Sequence, residues 1–151
     1  MAEAVKIGQT ALLLQAVYKN VKMASDMILD LMPRVKDERL KSDMTVQLSA
    51  YEAFASRAAK LLAEEGVKPE DTGIVSRLSS KLALIKDTVR DSGAPHIAEL
   101  LLGGTVESVS DMMLQIREAE NTQASESALR LARDLCQFEE KNTEDMKKYL
   151  R

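Results

Sequence analysis

Along most of the chain apolar residues recur every three or four positions with charged residues between them, a spacing that predicts helices with one buried face. The first helix is expected from about Thr10 to Met32, with Leu13, Val17, Val21, Ala24, Ile28 and Leu31 inward. Pro33 ends it, because the residue before a proline avoids the α region. A second helix, about 37–65, starts on Asp37 as N-cap and carries the stripe Leu40, Met44, Leu48, Tyr51, Phe54/Ala55, Ala58 and Leu62. Gly66 suits its left-handed C-cap. After the turn-rich stretch Val67–Gly73, a shorter periodic segment, 74–90, shows Leu78, Leu82, Ile85 and Val89. Asp91–Pro95 interrupts the pattern, and Pro95 fits the first turn of the next helix. That helix, about 95–120, turns Ile97, Leu101, Gly104, Ser108, Met112 and Ile116 inward. After the turn Asn121–Ala124 the last helix, about 125–150, buries Ala128, Leu131/Ala132, Leu135, Phe138, Asn142, Met146 and Tyr149.

Length limits how these segments can be arranged. The four longer helices are each roughly 35–45 Å at about 1.5 Å per residue. Fusing segment 74–90 to the next helix would give a rod of roughly 70 Å, too long to pack on its partners. The economical arrangement is two helices up and down, a crossover containing the short helix, and two more up and down. The short turn after the first helix makes it and the second antiparallel neighbours. The expectation is one all-α domain over residues 1–151, an antiparallel four-helix bundle with a short extra helix in the crossover.

Composition supports the fold class and narrows the partners. The 151 residues are 45% hydrophobic and 30% charged, which excludes a disordered chain. Aromatics are only 3%, with no Trp, so strand-favouring residues are scarce. A net charge of −3 with interspersed signs leaves no electrostatic footprint for nucleic acid or an anionic membrane. The apolar run Ala11–Leu14 is far too short to span a bilayer. Met1–Lys6 has no signal-peptide pattern, and Cys136 as sole cysteine cannot form an intrachain disulfide. A cytoplasmic protein is the simplest expectation.

Three stretches, Gln15–Lys22, Asp91–Leu100 and Phe138–Asn142, together with the helix order, resemble short uncharacterised bacterial members of the ferritin-like superfamily. The resemblance implies a ferritin-like bundle, and it implies a fold more firmly than a function. The superfamily's di-metal site takes a Glu from each of two helices and a Glu-x-x-His from each of the other two. Residues three apart share a helical face and can grip one ion together. Here the nearest counterparts are Glu52-Ala-Phe-Ala55 and Glu139-Glu-Lys-Asn142, with Ala and Asn where His should stand, and the first helix holds no Glu. The di-iron site is therefore expected to be absent, and no cofactor is expected.

Other residues could still carry chemistry. His96 and Glu99 have the reversed spacing of a metal-binding pair, but a helix N-terminus favours anions. Glu99 is read as complementing the helix dipole, and His96 as a cap or crossover contact. Gly103-Gly104 inside a helix points to a kink or a close helix contact, since each glycine costs about 0.5–1 kcal/mol there. Asn20, Glu139 and Asn142 lie at or beside inward stripes and are expected to form an interior polar network. The alternative is the remnant of a ligand site. Cys136 has no activating neighbour and reads as a small buried hydrophobe. Met23, Met27, Met32, Met112 and Met113 suggest an adaptable apolar surface, used first for packing and second for a dimer face. The functional expectation is a non-enzymatic homo-oligomer, first a dimer, or a module for an unnamed protein partner. The alternative is a metal or small-molecule site in the bundle interior.

Overall fold

The structure is a computed structural model, and it describes residues 8–70, Ala83 and 91–150. The crossover helix expected over 74–90 lies outside the described residues, Ala83 excepted. Four long helices are present among the described residues, with no strand: α1 (Gln9–Leu31), α2 (Glu38–Glu64), α3 (Ala94–Asn121) and α4 (Glu126–Met146). They pack into a helical bundle in which α1 lies along α2 and α3 along α4. The pairs join through contacts of α1 with both α3 and α4, and of α2 with α4. None of the described helices is long and apolar enough to cross a membrane.

Each helix end has a local cause. Pro33 turns the chain after α1 into a 3₁₀ turn, Met32–Arg34. Asp37 caps α2, its Oδ1 accepting from the Leu40 N–H at 2.9 Å. At the other end of α2, Gly66 takes φ 72°, and the N–H groups of Gly66 and Val67 return to the carbonyls of Ala63 and Leu62. This is a Schellman turn, which satisfies carbonyls the helix leaves open. Helix α3 ends the same way, with Gln123 at φ 59° in place of glycine and the Ala124 N–H bonded to the Ala119 carbonyl. Ser125 caps α4 through the Ala128 N–H, and its own N–H donates to Thr10 Oγ1 at 2.8 Å, tying the start of α4 to α1.

The core is built from the stripes. Leu13, Val17, Val21, Ile28 and Leu31 of α1 meet Leu40, Met44, Ala58 and Leu62 of α2, Ile97, Leu101 and Met112 of α3, and Leu131, Leu135 and Met146 of α4. Ala24, Leu48, Gly104, Ser108, Ile116 and Phe138 sit at its edge, half-buried. Gln15, also buried, binds the start of the crossover at both ends of its amide. Its Nε2 donates to the Lys68 carbonyl at 2.7 Å, and its Oε1 accepts from the Glu70 N–H at 2.9 Å. A Lys19–Glu70 ion pair at 3.0 Å lies beside that clamp.

Candidate functional site

Polar side-chain contacts run along the seam between α2 and the C-terminal part of the chain. Working along that seam, Asp43 meets Tyr149 and Lys148, Tyr51 meets Glu139, and Arg57 meets Asp134 at 3.0 Å. Phe138 anchors the middle, edge-on to Tyr51 with ring centroids 5.1 Å apart and tilted against Phe54 at 5.4 Å. The Arg57 guanidinium lies over the Phe54 ring at 5.6 Å. Aromatic packing thus holds the tyrosine ring and delivers its hydroxyl to the carboxylate.

Glu139 is the one acidic side chain buried among the described residues, 1% exposed. Tyr51 of α2 donates its hydroxyl to Oε2 at 2.8 Å, and Ser108 of α3 donates to Oε1 at 2.9 Å. One carboxylate therefore links three helices. Burial raises its pKa above the ordinary carboxylate value, and the two hydroxyl bonds, which favour the charged form, offset that only in part. The Tyr51 phenol is pushed up as well, first by burial and then by the charge and hydrogen bond of Glu139, against the opposing pull of Asn142 and Thr105. Cys136, one turn earlier on α4, is driven up to about 11 by burial and by Glu139 and Glu140. A thiol held neutral in this way is not a nucleophile.

Asn142, 5% exposed, stands beside the Tyr51 hydroxyl, yet its Nδ2 has no partner at hydrogen-bonding geometry. A buried donor left open costs about 1–3 kcal/mol. Asn20 is placed elsewhere. It is half-buried, and its Nδ2 donates to Asp111 Oδ2 at 3.1 Å and toward Met112 Sδ at 2.9 Å, both on α3. Glu139 and Asn142 thus share a junction with Tyr51 and Ser108, and the Asn20 amide bonds belong to the α1–α3 contact.

The remaining candidates are dispersed. Glu52 and Glu99 are exposed, and His96 is half-buried in the first turn of α3. Among the described residues no group of three or more His, Cys, Asp and Glu side chains gathers closely enough to hold a metal ion. Gly103 faces open space, whereas a Cβ on Gly104 would lie 3.2 Å from Met27 Sδ of α1. Of the methionines, Met112 is fully buried, Met27 and Met32 are half-buried, and Met23 and Met113 are exposed. A surface cleft between α2 and the start of α4 carries Arg57, Lys60 and Arg130 together with Glu64 and Glu126, a mixture of signs without a converging acid–base set.

Sequence reasoning missed Tyr51 and Ser108 as partners of Glu139, although both were placed on inward stripes. Each residue alone reads as ordinary packing, and the pairing spans 88 and 31 positions. The signal available was chemical: a carboxylate next to an inward stripe calls for donors, and hydroxyls on other stripes are the nearest supply. Compared with known proteins, the chain matches no protein-family model, no curated protein and no solved structure.

Proposed function

We propose that this chain is a non-enzymatic, ferritin-like bundle that works in the cytoplasm as a homo-oligomeric or partner-binding module. The observation that carries this reading is the state of Glu139. Each of its oxygens is bonded to a hydroxyl, of Tyr51 and of Ser108, so the buried side chain ties α4 to α2 and α3. A metal site or an acid–base pair is built from several convergent groups, and among the described residues no three His, Cys, Asp or Glu side chains gather around Glu139. The antiparallel arrangement is supported by the seam itself, since rising positions 43, 51 and 57 on α2 pair with falling positions 149, 139 and 134. Contacts of Asn20 with Met112 and of Met27 with Gly104 run the same way between α1 and α3. The order of two long helices, a crossover and two more supports the ferritin-like assignment.

An oligomeric or partner-binding role is supported by apolar side chains left on the outside. Val106, Met113 and Leu114 on α3 are 49%, 54% and 65% exposed, and Met23 and Leu29 on α1 are comparably open. The test is a paired measurement on purified protein: mass by sedimentation or light scattering over a dilution series, and metal content by elemental analysis. The reading expects reversible self-association or capture of a defined partner without stoichiometric metal. Stoichiometric iron, manganese or zinc would sink the non-enzymatic half of it. One observation favours a second reading, an interior site for a small polar ligand: the unpartnered Nδ2 of Asn142. A crystal structure with density bonded to that atom, lost in Asn142→Leu, would favour this alternative.

A further inference from the structure

The junction around Glu139 contains an acid whose surroundings suit its neutral form better than its charged one. It is buried where α2, α3 and α4 meet, and among the described residues no Lys, Arg or His pairs with it. The groups that face it can be named from each helix. From α2 comes the Tyr51 phenol. From α3 comes the Ser108 hydroxyl, with the Thr105 hydroxyl beside Tyr51; neither titrates, and Thr105 already donates to the Leu101 carbonyl at 2.8 Å. From α4 come the Cys136 thiol, on which the exposed Glu140 also acts, and the Asn142 amide beside the Tyr51 hydroxyl; among the described residues no group of α1 bonds to Glu139.

Hydroxyls both donate and accept, so the junction tolerates either protonation state in hydrogen-bond number. With the proton on Glu139, the acid donates to one hydroxyl oxygen and accepts from the other. Without it, both hydroxyls donate, and a full negative charge sits in the core with no cation among the described residues to offset it. Water admitted at the junction would solvate that charge, and it would also supply the missing acceptor for Asn142 Nδ2. Loss of the proton therefore favours an opened junction, and the unpartnered amide lowers the cost of opening in either state.

We propose that Glu139 is a proton-operated latch, closing the α2–α3–α4 junction when protonated and loosening it around α4 when ionised. The direction follows from linkage. The raised folded-state pKa means that the folded chain holds the proton above the unfolded value of 4.5. The stabilisation is complete below that value and is lost as pH rises through the folded pKa.

The test is amide hydrogen exchange of α4 around Phe138–Asn142 over a pH series, corrected for intrinsic exchange, in wild type and in Glu139→Gln. Wild-type opening should rise with pH by up to about tenfold per pH unit over the transition, as loss of a single proton requires. Glu139→Gln, neutral at every pH, should be flat. Two further measurements decide the matter if that variant does not fold. Tyr51→Phe removes a donor that favours the charged form, so its transition should move to higher pH. Infrared spectra of wild type above pH 4.5 should carry the carbonyl band of a protonated, buried carboxylic acid. The same pH profile in Glu139→Gln, an unmoved transition in Tyr51→Phe, or the absence of that band would overturn the latch.

Discussion

Single side chains at the seam make different demands on their surroundings, and each demand predicts a measurable response. Tyr51→Phe keeps the ring contact with Phe138 but strips a hydrogen-bond partner from the buried Glu139 side chain. A loss of about 1–3 kcal/mol is expected, read as a lower midpoint in urea unfolding at neutral pH. Asn142→Leu acts in the opposite sense, because it removes an unpaired buried donor. It should leave stability unchanged or raise it by about 1 kcal/mol, and a large loss would show that the amide is satisfied in solution. The pair at the far end of the seam is governed by pH. Burial opposes ionisation of Asp43, but hydrogen bonds from Tyr149 and Lys148 and nearby positive charge outweigh it, leaving its pKa below the ordinary 3.8. Tyr149 is pushed up to about 12 by burial and by Asp43. The lowered acid contributes stability above 3.8 that is lost as pH falls through its folded value, and the raised phenol contributes stability below 10.0 that is lost toward 12. Tyr149→Phe should therefore narrow the gap to wild type at both extremes of a stability–pH curve and be most damaging between them.

Helix ends and helix contacts set the next group of expectations. Gln123 occupies the left-handed position that closes α3, a conformation costing a non-glycine residue about 1–2 kcal/mol. Gln123→Gly should raise the thermal midpoint, partly offset by the greater freedom of glycine in the unfolded chain. The two glycines of α3 should behave differently from each other. Gly103→Ala enters open space and should stabilise by about 0.5–1 kcal/mol. Gly104→Ala presses on the Met27 sulfur, so its gain should be smaller, and Gly104→Val should be destabilising. Equal responses at 103 and 104 would deny that α1 approaches closely there. These ends were legible beforehand for local reasons: Pro33, Asp37, Gly66 and the Asn121–Ala124 turn each act on their own neighbours. Gln15 was not legible, because a lone Gln beside a leucine run says nothing about the backbone it will meet more than fifty positions later.

For the molecule as a whole, the expectation concerns the outer face of α3. If copies associate through it, Met113→Glu with Leu114→Glu should weaken self-association in a dilution series while helicity by circular dichroism stays unchanged. Unaltered association would move the interface elsewhere on the bundle.

What the amino-acid order determined by itself is what depends on near neighbours. Three- and four-residue spacing marks which face of a helix turns inward, and prolines, glycines and capping residues mark where it stops. Most of the buried positions of α1 and α4 follow from that alone. The tertiary structure decided which inward faces meet. Only once α2, α3 and α4 lie together do Tyr51, Ser108 and Glu139 become one hydrogen-bonded group, while Asn20 is drawn instead to Asp111. The physical reason is range. Helical periodicity is a property of a few consecutive residues, whereas a buried carboxylate takes its donors from whatever packing brings within 3 Å, however distant in the chain.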